Sequence, residues 1–182
     1  MADTKKVNVG KIFENDFKSS FSNNCLVIRL PDPPQAFTQR EDTKFAHKNP
    51  CDYVVFDTLN RIMYCLELKT TKGKSISFED INGNGEKKRM IHKHQIEALE
   101  KFSKFDYVRA AFIFNFRDEK NDTQRTYYQD INDFQKMCMD ISKVSFDEID
   151  LIRHNAKKIN GVKKRVHFRW EVEEFFAEQL NN

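Results

Sequence analysis

The chain has 182 residues, enough for one domain with a sizeable core, and 13% of them are aromatic, including 17 Phe. This composition argues against a disordered chain. The formal net charge of +3 and the pI near 8.6 permit nucleic-acid binding but are not the strongly basic signature that would indicate it alone.

The sequence gives no sign of a membrane or secreted protein. No run of about 18 apolar residues is present, and the N-terminus lacks the apolar segment of a signal peptide. The four Cys form no C-x-x-C pair, as expected for reduced thiols. We therefore expect one domain over residues 1–182, located in the cytoplasm.

The hydrophobic pattern predicts an α/β chain. Helical spacing of four apolar residues predicts a first helix over residues 10–22, and an apolar run that three prolines end predicts a strand over residues 25–30. The polar residues 31–50 are then expected to form a projecting stalk or arm. The further predicted strands are 52–56, 62–68, 75–78 (strand or loop), 107–116 and 126–131, and the further predicted helices are 92–105, 131–141, 146–152 and 171–180.

Two of these strands carry the most informative residues. Residues 52–56 and 62–68 flank a turn and read as a hairpin. Alternate residues of a strand share a face, so Glu67 and Lys69 point to the same side of the sheet, and Asp52 begins the partner strand. Charged residues in such an apolar strand are costly to bury without partners or a metal. The pattern therefore predicts a functional carboxylate and lysine cluster.

This residue set is suited to metal-dependent hydrolysis of a phosphodiester. Asp52 and Glu67 supply the oxygen ligands that Mg²⁺ prefers, and Lys69 can orient or deprotonate the attacking water and neutralise charge. The pattern is short and permissive, and on many other proteins it is only a solvated sheet edge.

The order of motifs resembles the PD-(D/E)xK nuclease superfamily and, more closely, the RecU-type Holliday junction resolvases of Gram-positive bacteria and their phages. The similarity covers about residues 10–116. It rests on the helix around Glu14, the proline-bearing segment 29–34, the Cys-Asp-Tyr motif at 51–53, the Glu-Leu-Lys motif at 67–69, a Ser-Phe pair at 77–78, and a helix opening with His94 and Gln95. Residues 80–90 are an addition to the family pattern.

The resemblance implies a restriction-endonuclease-like core, with a mixed central β-sheet flanked by helices. It also implies that Glu14, Asp52, Glu67 and Lys69 form the active site, supported by Gln95. Glu14, Asp52 and Glu67 would then bind Mg²⁺, for which Mn²⁺ substitutes. The implied activity is paired symmetric nicking of four-way DNA junctions by a homodimer, in a bacterial or phage-infected cell.

Basic residues near these motifs are candidates for contact with the DNA backbone, although a charge run is usually a solvated face. The segment 29–50 would reach into the junction centre, and two further clusters flank the predicted site. The DNA-binding candidates are Arg29, Arg40, Lys44, Lys48, Lys72, Lys74, Lys87, Lys88 and Arg89.

Other interpretations remain open at this point. The chain could be another PD-(D/E)xK endonuclease of restriction or repair type, or a non-catalytic nucleic-acid-binding module on the same fold. A calcium loop beginning at Asp80 is disfavoured, because its twelfth position is Ile91 rather than Glu. Zinc at His92 and His94 is disfavoured as well, because side chains two residues apart on a helix diverge and no Cys is nearby in the sequence.

Overall fold

A computed structural model describes residues 8–31, 49–80 and 89–180. It contains five helices and ten strands within these ranges, so the predicted α/β class is confirmed. None of the helices there is long and apolar enough to cross a membrane. In chain order the elements are α1 (Val9–Lys18), β1 (Cys25–Arg29), β2 (Tyr53–Asp57), β3 (Ile62–Thr71), β4 (Ser75–Ser77), α2 (Lys93–Ser103), β5 (Val108–Asp118), β6 (Thr123–Asp130), α3 (Ile131–Asp140), β7 (Ser145–Asp147), α4 (Glu148–Arg153), β8 (Lys157–Ile159), β9 (Gly161–Lys164), β10 (His167–Trp170) and α5 (Val172–Leu180).

Six strands form the central sheet, in the order β1-β2-β3-β5-β6-β8. The pairing is antiparallel except between β3 and β5, which are parallel and are connected through β4 and α2. The predicted mixed sheet with flanking helices is thereby confirmed. Because β1, β3 and β5 run in the same direction, their C-terminal ends lie at one end of the sheet, which we call the upper end.

Each face of the sheet is covered by its own hydrophobic core. One core packs α2, α3 and the β4-β7 ribbon against residues such as Cys65, Phe112 and Phe114. The other packs α1, α5 and the β9-β10 hairpin against residues such as Tyr64 and Leu66. Alternation along β3 therefore points Cys65 and Glu67 towards α2, and their even-numbered neighbours towards α1 and α5.

Several predicted boundaries were wrong. Phe146 does not begin a helix: it lies in β7, and Asp147 caps the start of α4 by accepting hydrogen bonds from the N–H groups of Ile149 and Asp150. The strand predicted to end at Ile131 ends one residue earlier, where Asp130 caps α3. The strands β8, β9 and β10 were not predicted. Most of the predicted stalk, residues 32–48, lies outside the described residues.

Candidate active site

The upper end of the β2-β3 hairpin places Asp52 opposite Glu67. Tyr53 pairs with Leu66 in the antiparallel ladder, and the Asp52 N–H extends that ladder by donating to the Leu66 carbonyl at 3.1 Å. The Asp52 carboxylate turns towards β3, where its Oδ2 accepts from the Leu68 N–H at 2.7 Å. A charge-assisted bond of this kind fixes the carboxylate beside the strand that carries Glu67.

Glu67 is buried, with only 3% of its surface exposed, and its carboxylate has two hydrogen-bond donors. Its Oε1 accepts from Lys69 Nζ at 2.8 Å and also from Gln95 Nε2. Glu67 and Lys69 lie on one face of β3, as the period of two requires. The structure therefore brings the predicted residues Asp52, Glu67, Lys69 and Gln95 together.

The start of α2 fixes the orientation of Gln95. The residue is three positions after His92, which caps the helix, and its Oε1 accepts from the His92 N–H at 3.0 Å. With its oxygen used in this way, the amide presents its NH₂ group to Glu67. The position of Gln95 in the site therefore follows from a helix-capping interaction.

Glu14 approaches from α1, on the opposite face of the sheet. Its Oε2 accepts from Arg29, at 3.1 Å from Nε and 3.0 Å from the terminal nitrogen, and the Tyr53 hydroxyl donates to the Glu14 carbonyl at 3.3 Å. Arg29 was predicted only as a DNA contact. The structure places it inside the candidate site as the ionic partner of Glu14.

Two carboxyl groups of the site, those of Asp52 and Glu67, have raised pKa values, because they are poorly solvated and lie close together. Burial is the main cause that raises the pKa of Asp52 from 3.8 to about 6, opposed by the Leu68 hydrogen bond and the Lys69 charge. Burial likewise raises the pKa of Glu67 from 4.5 to about 7, opposed by Lys69 and reinforced by the charge on Asp52. The charge of Glu14 adds to both shifts.

The donor chemistry of this site suits Mg²⁺, because Asp52, Glu67 and Glu14 offer only hard oxygen ligands. A divalent cation would also offset the repulsion between these carboxylates. In the conformation described, however, Glu14 is engaged by Arg29, and Glu67 by Lys69 and Gln95. Within residues 8–31, 49–80 and 89–180, no three Asp, Glu, His or Cys side chains form a ready metal cluster.

The predicted DNA contacts are spread over different parts of the chain. Lys72 and Lys74 lie in the turn after β3 and line a cleft of about 580 Å³ with Arg117 and Arg125. Arg89 lies just before α2. The remaining candidates, Arg40, Lys44, Lys48, Lys87 and Lys88, fall outside the described residues.

Glu79 and His92 hold the start of the helix that carries Gln95, and neither was predicted to belong to the site. Glu79 accepts from the Lys93 N–H at 2.7 Å and bonds His92 Nδ1 at 2.7 Å, so it holds the start of α2. An acidic side chain is a typical partner for the first N–H groups of a helix, but usually from a position next to the helix in the sequence. The distance of Glu79 from His92, 13 positions along the chain, concealed the relationship.

Comparison with known proteins assigns the chain to a family. No family model matches the chain. The SPbeta prophage-derived uncharacterized protein YotM of Bacillus subtilis (strain 168) is 30% identical over 185 residues, which cover 95% of this chain and 87% of the relative. The chain belongs to the YotM family. The name of YotM carries no activity, so we infer the chemistry of this family member from the site itself.

Proposed function

We propose that the protein is a Mg²⁺-dependent endonuclease of the PD-(D/E)xK type, and specifically a RecU-type enzyme that resolves four-way DNA junctions by paired symmetric nicks. The observation that carries the proposal is the buried group in which Lys69 and Gln95 both donate to Glu67 while Asp52 lies opposite on the neighbouring strand. The prophage origin of the relative YotM supports it as well, since the resemblance is to enzymes of bacteria and their phages.

Each side chain has a definite task in this proposal. Asp52 and Glu67, with Glu14, would hold Mg²⁺, which when bound polarises a phosphodiester oxygen and lowers the pKa of a bound water. Lys69 Nζ, which donates to Glu67 at 2.8 Å, would orient the attacking water and offset the charge that develops on the phosphate. Gln95 would keep Glu67 in place, and the Leu68 N–H does the same for Asp52.

Cleavage of two strands of like polarity calls for two active sites related by two-fold symmetry, so we propose a homodimer. Support comes from the outer strands of the sheet. On one face of β1 and β2, Leu26, Ile28 and Phe56 are 57%, 46% and 38% exposed. Leu26 pairs directly with Phe56, and Ile28 lies two residues from Leu26 on the same face of β1, so the apolar surface is continuous.

One observation favours a second candidate, a nucleic-acid-binding module without catalytic activity. Glu14 and Glu67 already have cationic partners, Arg29 and Lys69, so the carboxylates could serve to hold these cations in place rather than to bind a metal. The two functions differ in what happens to DNA in Mg²⁺, because only an endonuclease would cut it.

The test separates cleavage from binding. Asp52→Asn and Lys69→Met should abolish Mg²⁺-dependent cleavage of a labelled junction and leave its binding in EDTA within about threefold of wild type, because neither group is needed for backbone contact. Asp106→Asn, at an exposed position of the opposite end of the sheet, is the matched control and should cut normally. Unchanged cleavage in both site variants would overturn the proposal.

A further inference from the structure

The longest stretch without an acidic residue in the described C-terminal part of the chain is residues 151–170. It contains seven Lys or Arg and two His, although Asp and Glu make up 28 of the 182 residues. Its last ten residues fold as the antiparallel hairpin β9-β10, which we call the basic hairpin (residues 161–170). No contact in the candidate active site uses its cations.

The basic hairpin is held firmly on the protein. Phe168 and Trp170 are buried in the core on the α1 side, and Trp170 Nε1 donates to Thr126 Oγ1 at 2.9 Å. The carboxylate of Asp16 on α1 accepts from the Phe168 N–H at 3.1 Å and bonds His167 Nδ1 at 2.7 Å. These anchors lie on β10, so the hairpin has a fixed direction relative to the sheet.

The other strand and the turn of the basic hairpin face solvent. All residues from Gly161 to His167 are exposed, and Val166 at the turn is 71% exposed. Lys163 bonds Asp122, whereas neither Lys164 nor Arg165 makes an ion pair with any of the described residues. The turn therefore presents two cations to solvent on a rigid support.

The hairpin points to the upper end of the sheet, where the candidate active site lies. β8 is antiparallel to β6 and reaches Thr126, and β9 continues in that direction until Lys163 meets Asp122 in the turn between β5 and β6. That turn follows the C-terminal end of β5, which is level with the C-terminal end of β3. Three strand spacings separate β8 from β3, a lateral distance of about 14 Å.

We propose that the basic hairpin is a second contact surface for the nucleic-acid substrate, and that Lys164 and Arg165 bind phosphates of the strand backbone at a distance from the scissile bond. The inference rests on the proposed function for its substrate. Charge complementarity carries it: a rigid, exposed pair of cations, with no ion-pair partner among the described residues, lies at the upper end of the sheet, the end nearest to Asp52, Glu67 and Lys69. Such contacts position the substrate without reading base sequence.

The experiment measures binding in EDTA, so it does not depend on cleavage. The test variant is Lys164→Glu with Arg165→Glu. The control variant is Lys101→Glu with Arg61→Glu, which makes the same charge change at exposed positions of the lower end of the sheet. Arg61 matches Arg165 closely, because both are turn residues with positive φ, 58° and 46°. Fluorescence anisotropy with a labelled four-way junction and a labelled duplex gives the affinities.

We expect the test variant to bind at least roughly tenfold more weakly than wild type at moderate salt, and the slope of log affinity against log salt to fall by about 1.8, the loss of two phosphate contacts. The control variant should lose less than about threefold. A third variant, Lys164→Arg with Arg165→Lys, should restore wild-type binding, since it keeps both charges.

The outcomes distinguish this inference from the proposed function. Equal binding by the test and control variants would overturn the role of the hairpin, even if wild-type protein cuts DNA in Mg²⁺. A selective loss in the test variant without any Mg²⁺-dependent cleavage by wild type would support the hairpin and reject the endonuclease. Absence of wild-type binding to either DNA would overturn the hairpin proposal outright.

Discussion

Replacing Asp52 by Asn should stabilise the metal-free protein while it destroys activity. The side chain is partly buried, and this loss of solvation raises the pKa of the carboxyl from 3.8 in a solvated chain to about 6 in the folded state. Its single described hydrogen bond, from the Leu68 N–H, can be accepted equally well by an Asn side-chain oxygen. The substitution therefore removes an unfavourable charge and keeps the bond.

The magnitude follows from proton linkage. Between pH 4 and pH 6 the folded state binds a proton that the unfolded state has lost, so the free energy of unfolding falls as the pH rises through this interval. A pKa difference of about two corresponds to roughly 3 kcal/mol, which is an upper limit because Asp52 titrates together with Glu67. Above pH 6 the full penalty is present in the wild type and absent in the variant.

We expect Asp52→Asn to raise the free energy of unfolding by about 2 to 3 kcal/mol at pH 8, and by less than about 1 kcal/mol at pH 4. Urea denaturation in EDTA at the two pH values measures both quantities, and Asp106→Asn, at an exposed site, should change neither. A variant that is less stable than wild type at pH 8, or a gain that is the same at both pH values, would refute the proposed electrostatic penalty.

Three further substitutions test packing and positioning. Gly161→Ala would place a Cβ 2.6 Å from Trp170 Cδ1, so urea denaturation should show a loss of about 1 to 3 kcal/mol. Phe114→Ala empties a fully buried position and should lower the free energy of unfolding by about 3 to 5 kcal/mol in the same assay. Gln95→Ala removes a donor to Glu67 and should reduce the single-turnover cleavage rate roughly 10- to 100-fold with an unchanged circular dichroism spectrum. A full cleavage rate in Gln95→Ala, or an unchanged free energy of unfolding in Gly161→Ala or Phe114→Ala, would contradict these assignments.

The sequence predicted the structure best where a single side-chain repeat determines which face a residue lies on. The alternation in residues 62–68 correctly put Glu67 and Lys69 on one face, because side chains on a strand repeat every two residues. The predicted hairpin between residues 52–56 and 62–68 also placed Asp52 beside Glu67 and Lys69. The long apolar run ending at Phe116 was correctly read as a central buried strand.

Contacts between distant segments could not be predicted in this way. The contact of Gln95 with Glu67 depends on how α2 packs across the sheet, and the pairing of Arg29 with Glu14 depends on the angle at which α1 crosses β1. No local pattern encodes either of them.

The short strands β8 and β9 were missed in the sequence for a different reason. β8 and β9 are only three and four residues long and rich in Lys, so neither length nor composition marks them as strands. Their place is set by Trp170, which packs against α1 from the opposite strand of the basic hairpin. The start of α4 was a local signal that was overlooked, because Asp147 and Asp150 have the spacing of a capping box.

The most direct test of the central claim is incubation of the purified protein with a labelled four-way junction and with a matched linear duplex, each in Mg²⁺ and in EDTA. The proposed mechanism predicts paired symmetric nicks in the junction alone, in Mg²⁺ alone, and their loss in Asp52→Asn. Cutting of both substrates would retain the hydrolysis and reject the junction selectivity. If neither DNA were cut in Mg²⁺, the site formed by Asp52, Glu67 and Lys69 would not be that of an endonuclease.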